Sequence, residues 1–223
     1  YNKYDKGREL VQKLLAGTNI ALITDAGTPG ISDPGEELVK MAYEAGIEVT
    51  SLPGACACVT ALTLSGLSTR RFVFEAFLPP DKKEHKLALE RLKNETRTMI
   101  VYEAPHHLLK TLRELLETMG NRRLTLCREL TKKHETAWQT TLEDAIARYE
   151  QEDPKGECVL VIEGRSQKEI EDEAKAAFEE ISIEEHMKRY EDQGIARKEA
   201  MKLVAKDRGV TKRDIYQYLL GQE

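Results

Sequence analysis

The sequence predicts an α/β fold in which short apolar strands alternate with helices around a parallel sheet, followed by a helical C-terminal extension. Two observations predict the sheet. Buried-strand runs such as IALIT and FVFEAF recur between segments with helical apolar spacing, and Gly or Pro turns separate them. A third predicts the extension: from Gln167 onward the chain is long, charged and helical in pattern, with no strand-like run. The 223 residues are 40% hydrophobic and 33% charged, enough for one large domain or two modest ones with a real core.

In chain order, YDKGRELVQKLLAG reads as a helix stopping at Gly17, and Ile20–Thr24 as a short buried strand. Glu36–Glu44 reads as a helix closed by Ala-Gly, Ile47–Leu52 as a second strand, and Ala55–Leu64 as a helix of small residues. Leu67–Arg71 is the expected hinge. Beyond it come strand Phe72–Phe77, helix Lys82–Leu92, strand Met99–Tyr102, helix Leu108–Met119, strand Leu124–Arg128, helix Leu142–Tyr149 and strand Cys158–Glu163. This gives expected domains of 1–69, 70–166 and 167–223. No repeat or low-complexity tract is present.

Several classes are set aside. No apolar run approaches the roughly 18 residues that span a bilayer. The opening YNKYDKGREL is neither a signal nor a transit peptide, and its lack of an initiator Met suggests a chain that begins mid-protein. Cys56, Cys58, Cys127 and Cys158 sit in apolar segments without zinc-type spacing. They read as small buried hydrophobes in a reducing cytoplasm, with no metal site. Cys56 and Cys58 are two apart, so on a helix they point to different faces.

Net charge is −5, so nucleic-acid binding needs a local patch. Residues 168–185 hold eight acids and two lysines; residues 186–213 hold nine basic residues and four acids. Lys188, Arg189, Arg197, Lys198, Lys202, Lys212 and Arg213 are candidate RNA contacts, or else a solvated helix surface. Ala205 stands four before Gly209, as in a helix-turn-helix. A plain helical hairpin explains the same pattern.

The stretch with most backbone chemistry is Asp25–Leu38, DAGTPGISDPGEEL. Thr28-Pro29-Gly30 is type II turn chemistry, and Ser32 or Asp33 can cap the next helix with Pro34 at its first position. The loop lies outside the carboxyl end of a strand, where open α/β sheets bind ligands. Two carboxylates, Asp25 and Asp33, suit a ligand with hydroxyls, amines or positive charge. A sulfonium cofactor fits them better than a phosphate does. A turn that satisfies its own caps is the structural alternative. PGACA at 53–57 is a second such junction. YEAPHHL at 102–108 is a third, with Glu103, His106 and His107 around Pro105. Three junctions imply one cleft lined from two domains.

DAGTPGISDPG, PGACA, FEAFLP, YEAPHH, CRELTKKHE and GECVLVIEG, in this order, resemble the tetrapyrrole methylase family. More narrowly they resemble its ribosomal RNA branch, the small-subunit rRNA cytidine 2'-O-methyltransferases. The likeness runs over nearly the whole chain and includes the C-terminal helices. It implies two α/β domains flanking a cleft for S-adenosylmethionine, a homodimer, and methyl transfer to a ribose 2'-OH of small-subunit ribosomal RNA. It also implies that a first strand with a Pro/Gly-rich loop precedes this chain, leaving a fragment with an exposed sheet edge and an incomplete cleft.

By that resemblance Asp25, Ala26, Gly27, Thr28, Pro29, Ser32, Asp33, Pro53, Gly54 and Ala55 line the cofactor, with Glu103, Ala104 and Pro105 across the cleft. Arg128, Glu129, Lys132 and His106 are the catalytic candidates: a base for the hydroxyl proton or a cation for the alkoxide. Trp138 and Tyr102 are candidates for stacking on a base, or core residues. Rival readings are a tetrapyrrole C-methyltransferase and a non-catalytic nucleic-acid-binding protein.

Overall fold

A computed structural model describes residues 3–220, and the chain divides into two compact units after Gly164. The first contains helices α1 (Lys3–Leu15), α2 (Gly35–Glu44), α3 (Ala57–Leu64), α4 (Lys82–Lys93), α5 (Pro105–Met119) and α6 (Leu142–Tyr149). Its strands are β1 (Phe72–Phe77), β2 (Thr98–Glu103), β3 (Arg123–Arg128), β4 (Thr136–Thr141) and β5 (Cys158–Ile162).

The five strands form one sheet in the order β1-β2-β5-β3-β4. β1 and β2 are parallel; the other three pairings are antiparallel. The expected parallel sheet is therefore mixed. β1, β2 and β3 do run the same way, as the crossover helices α4 and α5 require. β5 enters between β2 and β3 in the opposite sense, and β4 returns beside β3. β4 has no counterpart among the expected strands because TAWQTT lacks an apolar face; it is an edge strand built on Thr and Trp.

The two faces of the sheet hold separate cores. Met99, Val101, Leu124, Leu126, Leu160 and Ile162 face α4, α5 and α6. Ile100, Cys127, Val159 and Val161 face α3. α5 shows how sequence sets the first layer. Ala104 is extended, Pro105 opens the first turn, and Leu108, Leu112 and Leu115 fall on one fully buried stripe. Asp81 starts α4 by accepting the amides of Lys83 and Glu84, each at 3.0 Å.

Residues 20–24 and 47–52, expected as strands, enter no ladder in the structure. Their apolar content and flanking turns are strand-like, but a strand needs a neighbour to pair with, and the segment itself does not encode one. Ile23 is 84% exposed and Leu52 81%. The expected hinge at 67–71 is fastened at its start. The Thr98 hydroxyl donates to Ser68 O at 2.7 Å. The Thr125 hydroxyl and the Gln139 amide donate to Ser65 O at 2.9 and 3.3 Å.

The second unit is helical: α7 (Gln167–Glu179), α8 (Ile183–Glu191), α9 (Arg197–Arg208) and α10 (Lys212–Leu220). Ser166 and Glu169 form a capping box at the start of α7. α8, α9 and α10 enclose Met187, Ala200, Val204, Ala205 and Ile215. Gly209 ends α9 in the left-handed region, at φ 66°, and Val210 N–H closes back on Ala205 O at 3.0 Å.

His186 is 1% exposed, stacked on Phe178 with ring centroids 4.3 Å apart. Its Nε2 lies 3.2 Å from Asp207 Oδ2, and Arg208 Nε lies 3.3 Å from its Nδ1. An arginine only donates, so Nδ1 is the acceptor and the ring is neutral. Burial, and next the Arg208 charge, depress the His186 pKa against the pull of Asp207. A depressed histidine contributes stability above its unfolded pKa and loses it as pH falls. We therefore expect amide exchange in α8 and α9 to speed up as pH drops below about 6.5, after correction for intrinsic rates. A His186→Gln variant should lack that acid component; an unchanged profile in the variant would refute the assignment.

Candidate functional site

Two of the glycine-rich loops are joined directly. Thr28 N–H donates to Ala55 O at 2.8 Å, and the Thr28 hydroxyl reaches the same oxygen at 3.2 Å. The fit is close on both sides. A Cβ on Gly27, whose φ is 77°, would stand 2.8 Å from Ala55 O, and one on Gly54 would stand 2.8 Å from Thr28 Oγ1. Asp33 is spent within its loop: Oδ2 accepts Gly30 N–H at 2.7 Å and Oδ1 accepts Gly35 N–H at 2.6 Å. The expected helix start shifts by one residue, with Pro34 as the N-cap and Gly35 the first helical residue. Gly30 has the positive φ of a type II turn, 82°, and Ser32 is also left-handed, at 59°. Asp25 is exposed and, among the described residues, makes no hydrogen bond or ion pair.

The second loop is tied in turn to the end of β2. Cys58 N–H, at the start of α3, donates to the Tyr102 hydroxyl at 2.9 Å. That amide is one of the first-turn donors a helix leaves unsatisfied, and Tyr102 fills it. Phe74 and Phe77 hold the Tyr102 ring edge-on at 4.9 and 5.7 Å. Burial raises the Tyr102 pKa, so the group stays a neutral hydroxyl. Tyr102 is thus a structural pin, and nothing in its sequence context marked that role.

Glu103 points to the other face. Its carboxylate is buried, accepting the Thr111 hydroxyl at 2.6 Å and its neighbour Ala104 N–H at 2.8 Å. Glu103 and Ala104 border a groove of about 940 Å³ between α4 and α5, shared with His85, His107 and Glu114. His106 and His107 are exposed at the start of α5 with rings 4.1 Å apart.

The catalytic candidates stand at this same end of the sheet. Glu103 and Arg128 both pair with Cys158 of β5, one on each side, so their backbones are about 10 Å apart. The turn after β3 is strained: Glu129 and Thr131 have φ of 49° and 65°. It is held by Lys132 N–H on Glu129 O at 2.9 Å and by Thr131 N–H on the Glu135 carboxylate at 2.6 Å. The Glu129 carboxylate packs against Gly156 and pairs with Lys132 Nζ at 3.1 Å. Arg128 donates to Lys155 O and to the Thr136 hydroxyl, each at 3.3 Å. Trp138 packs on the core with the Arg148 guanidinium 4.7 Å from its ring.

In the tail, Arg189 and Lys202 pair with Glu185 and Glu199 at 2.9 and 2.8 Å. Lys188, Arg197, Lys198, Lys212 and Arg213 make no ion pair among the described residues.

Cys56 and Cys58 correct the expectation that they point apart. Cys56 is not helical: it is the extended N-cap of α3, at φ −140° and ψ 118°, so its Sγ lies 3.3 Å from that of Cys58. Burial, and then the Cys56 contact, push the Cys58 thiol up to about 11. Burial raises Cys127 to about 11 and Cys158 to about 12. Alkylation near neutral pH should therefore modify half-buried Cys56 first and leave the other three untouched in the folded chain, as peptide mass mapping would show. Early labelling of Cys127 or Cys158 would contradict this packing.

A family model for Tetrapyrrole (Corrin/Porphyrin) Methylases matches residues 3–146. Among similar chains, the ribosomal RNA small subunit methyltransferase I of Synechocystis is 45% identical over 100% of this chain and 78% of its own length. Those of Halalkalibacterium halodurans and Escherichia coli O157:H7 are 47% and 39% identical, over 97% and 100% of this chain and 74% and 76% of their own lengths. Among solved structures, the methyltransferase CobJ aligns with a TM-score of 0.57 at 18% identity, covering 72% of this chain and 70% of its own. A uroporphyrin-III C-methyl transferase from Thermus thermophilus, complexed with S-adenyl homocysteine, aligns at 0.50 and 18%, covering 71% and 73%. These two likenesses show the shared fold. The chain belongs to the tetrapyrrole methylase family and is a methyltransferase that uses S-adenosylmethionine.

Proposed function

We propose that the chain transfers a methyl group to the 2'-OH of a cytidine ribose in small-subunit ribosomal RNA. The observation that carries this reading is the 39–47% identity over essentially the whole chain to proteins named ribosomal RNA small subunit methyltransferase I. The convergence of the loops 25–33, 53–57 and 128–135 on one end of the sheet supports it.

The residues present fit the cofactor. Gly27 and Gly54 are exposed, and the absence of a Cβ at each lets the two loops close on one another, which fixes the main chain that a ligand would meet. The unpaired carboxylate of Asp25 suits hydroxyls, an ammonium or a sulfonium. S-adenosylmethionine supplies an electrophilic methyl on a sulfonium, so the rest of the task is alignment and removal of one proton. Asp25–Pro29 and Pro53–Ala55 hold the cofactor mainly through backbone, and Ala104 and Pro105 border it from α5. Asp33 and Glu103 act by fixing loop and helix, since their carboxylates are already committed.

In this reading Lys132 offsets negative charge growing on the ribose oxygen, and Glu129 accepts the proton. Their mutual ion pair orients the two side chains until substrate intervenes. The strain at Glu129 and Thr131 is the local cost of aiming this pair. Arg128 supports the turn through Lys155 O. His106 is the exposed alternative for proton transfer or for an RNA contact. The cations Lys188, Arg197, Lys198, Lys212 and Arg213, with Arg189 and Lys202 beside them, contact phosphates in the same reading.

The test is transfer of labelled methyl from S-adenosylmethionine to small ribosomal subunits isolated without the modification. Label recovered in a cytidine ribose is the expected result; label in a base, or none, would refute it. Lys132→Ala should lower kcat by about 10²-fold while leaving the cofactor Kd unchanged. Gly27→Ala should instead weaken cofactor binding by about tenfold or more in calorimetry, because the loop must shift to admit a methyl. An unaltered Kd in the Gly27 variant would remove this loop from the site.

A further inference from the structure

A cluster of cations lies at the end of the sheet opposite these loops. β1 and β2 run parallel with Phe72 opposite Thr98, so the residues leading into them lie side by side. Arg70, Arg71 and Arg97, with Phe72 and Thr96, line one concavity of about 410 Å³. Arg97 is braced by Glu95, Nε to Oε1 at 2.9 Å and Nη2 to Oε2 at 2.7 Å, with Glu75 acting at longer range. Arg70 and Arg71 are exposed and, among the described residues, make no ion pair or hydrogen bond. The concavity therefore holds two uncommitted guanidiniums and a third already oriented.

We propose that this concavity grips the ribosomal RNA backbone at a point remote from the methylated nucleotide. The inference rests on the RNA reading above. Three features carry it. Guanidinium forks match phosphate oxygens in geometry as well as charge. Phe72 is 39% exposed beside them, and a flat apolar ring next to arginines suits stacking of an unpaired base. The bonds at Ser65 and Ser68 fix the segment ahead of Arg70, so little order is lost on binding. A six-residue strand spans about 20 Å, so the patch lies beyond reach of the reacting ribose and within reach of flanking RNA. In a chain of net charge −5, such a patch has to be local.

The experiment compares the unsubstituted chain with Arg70→Gln/Arg71→Gln, using fluorescence anisotropy with unmodified small-subunit rRNA over a series of salt concentrations. We expect the double variant to bind about tenfold more weakly at moderate salt, with a log–log salt slope smaller by about 2. Its melting temperature and cofactor Kd should stay unchanged. Arg70→Lys/Arg71→Lys should keep most of the slope, and Phe72→Ala should lower affinity without altering it. Equal affinity and slope in the Gln variant would overturn the patch alone. An unsubstituted chain that binds cofactor but no rRNA at any salt would overturn the RNA reading, and the patch with it.

Discussion

The end of β2 assigns opposite tasks to two adjacent residues, and the site depends on that division. Side chains alternate across a strand, so Tyr102 and Glu103 must face different layers. Tyr102 reaches α3 and satisfies its first turn through Cys58 N–H. Glu103 reaches α5 and binds Thr111 within the helix and Ala104 N–H just before it. One strand end thereby fixes the start of two helices on opposite faces of the sheet. Both bonds are buried or half-buried, where a lost partner costs about 1–3 kcal/mol in an unsatisfied polar group. The loop 53–57 inherits its position from the first bond, and through Ala55 O so does the loop that carries Thr28. A chain of contacts, first through the Tyr102 hydroxyl and then through main chain, thus runs from the sheet to the turn at Thr28.

That arrangement explains why the loops hold so few committed side chains. Their geometry is set by carbonyl and amide groups and by the absence of Cβ atoms at Gly27 and Gly54. Asp33 closes its own loop, while Asp25 remains open to a ligand. The contrast between two aspartates eight residues apart is one of local turn geometry.

Much of this was legible in the sequence. Periodicity located β1 and α6 to the residue and most other helices and strands within a few. The type II turn at Thr28-Pro29-Gly30 followed from Pro and Gly conformations alone. Four things were not legible, each for a reason. Residues 20–24 and 47–52 look like strands because burial and turns are local signals, whereas ladder pairing is not. β4 escaped notice because a polar edge strand lacks the apolar run that marks an interior one. The Cys56–Cys58 contact depends on Cys56 leaving the helix at its cap, a boundary of one residue. The role of Tyr102 depends on a helix 44 residues earlier in the chain. In the site itself, the Pro/Gly-rich junctions at 25–38, 53–57 and 102–108 were expected to meet, and hydrogen bonds do join them in series, although no strand precedes the first two. The structural use of Asp33 was among the alternatives its turn context offered, whereas the bond from Thr111 that commits Glu103 joins a strand end to a helix residue eight positions on.

The fastening of the segment before β1 also has a kinetic side. Ser65 and Ser68 are gripped by Thr98, Thr125 and Gln139, which lie 30, 60 and 74 residues further along the chain. Contacts of such sequence separation form only after the intervening loops have closed, and loop closure is what makes non-local structure slow to appear. These three donors come from β2, β3 and β4, so the carbonyls have no complete set of partners until the sheet is assembled out to its far edge. The ordering of the segment ahead of Arg70 and Arg71 is therefore a property of the assembled sheet rather than of its local sequence.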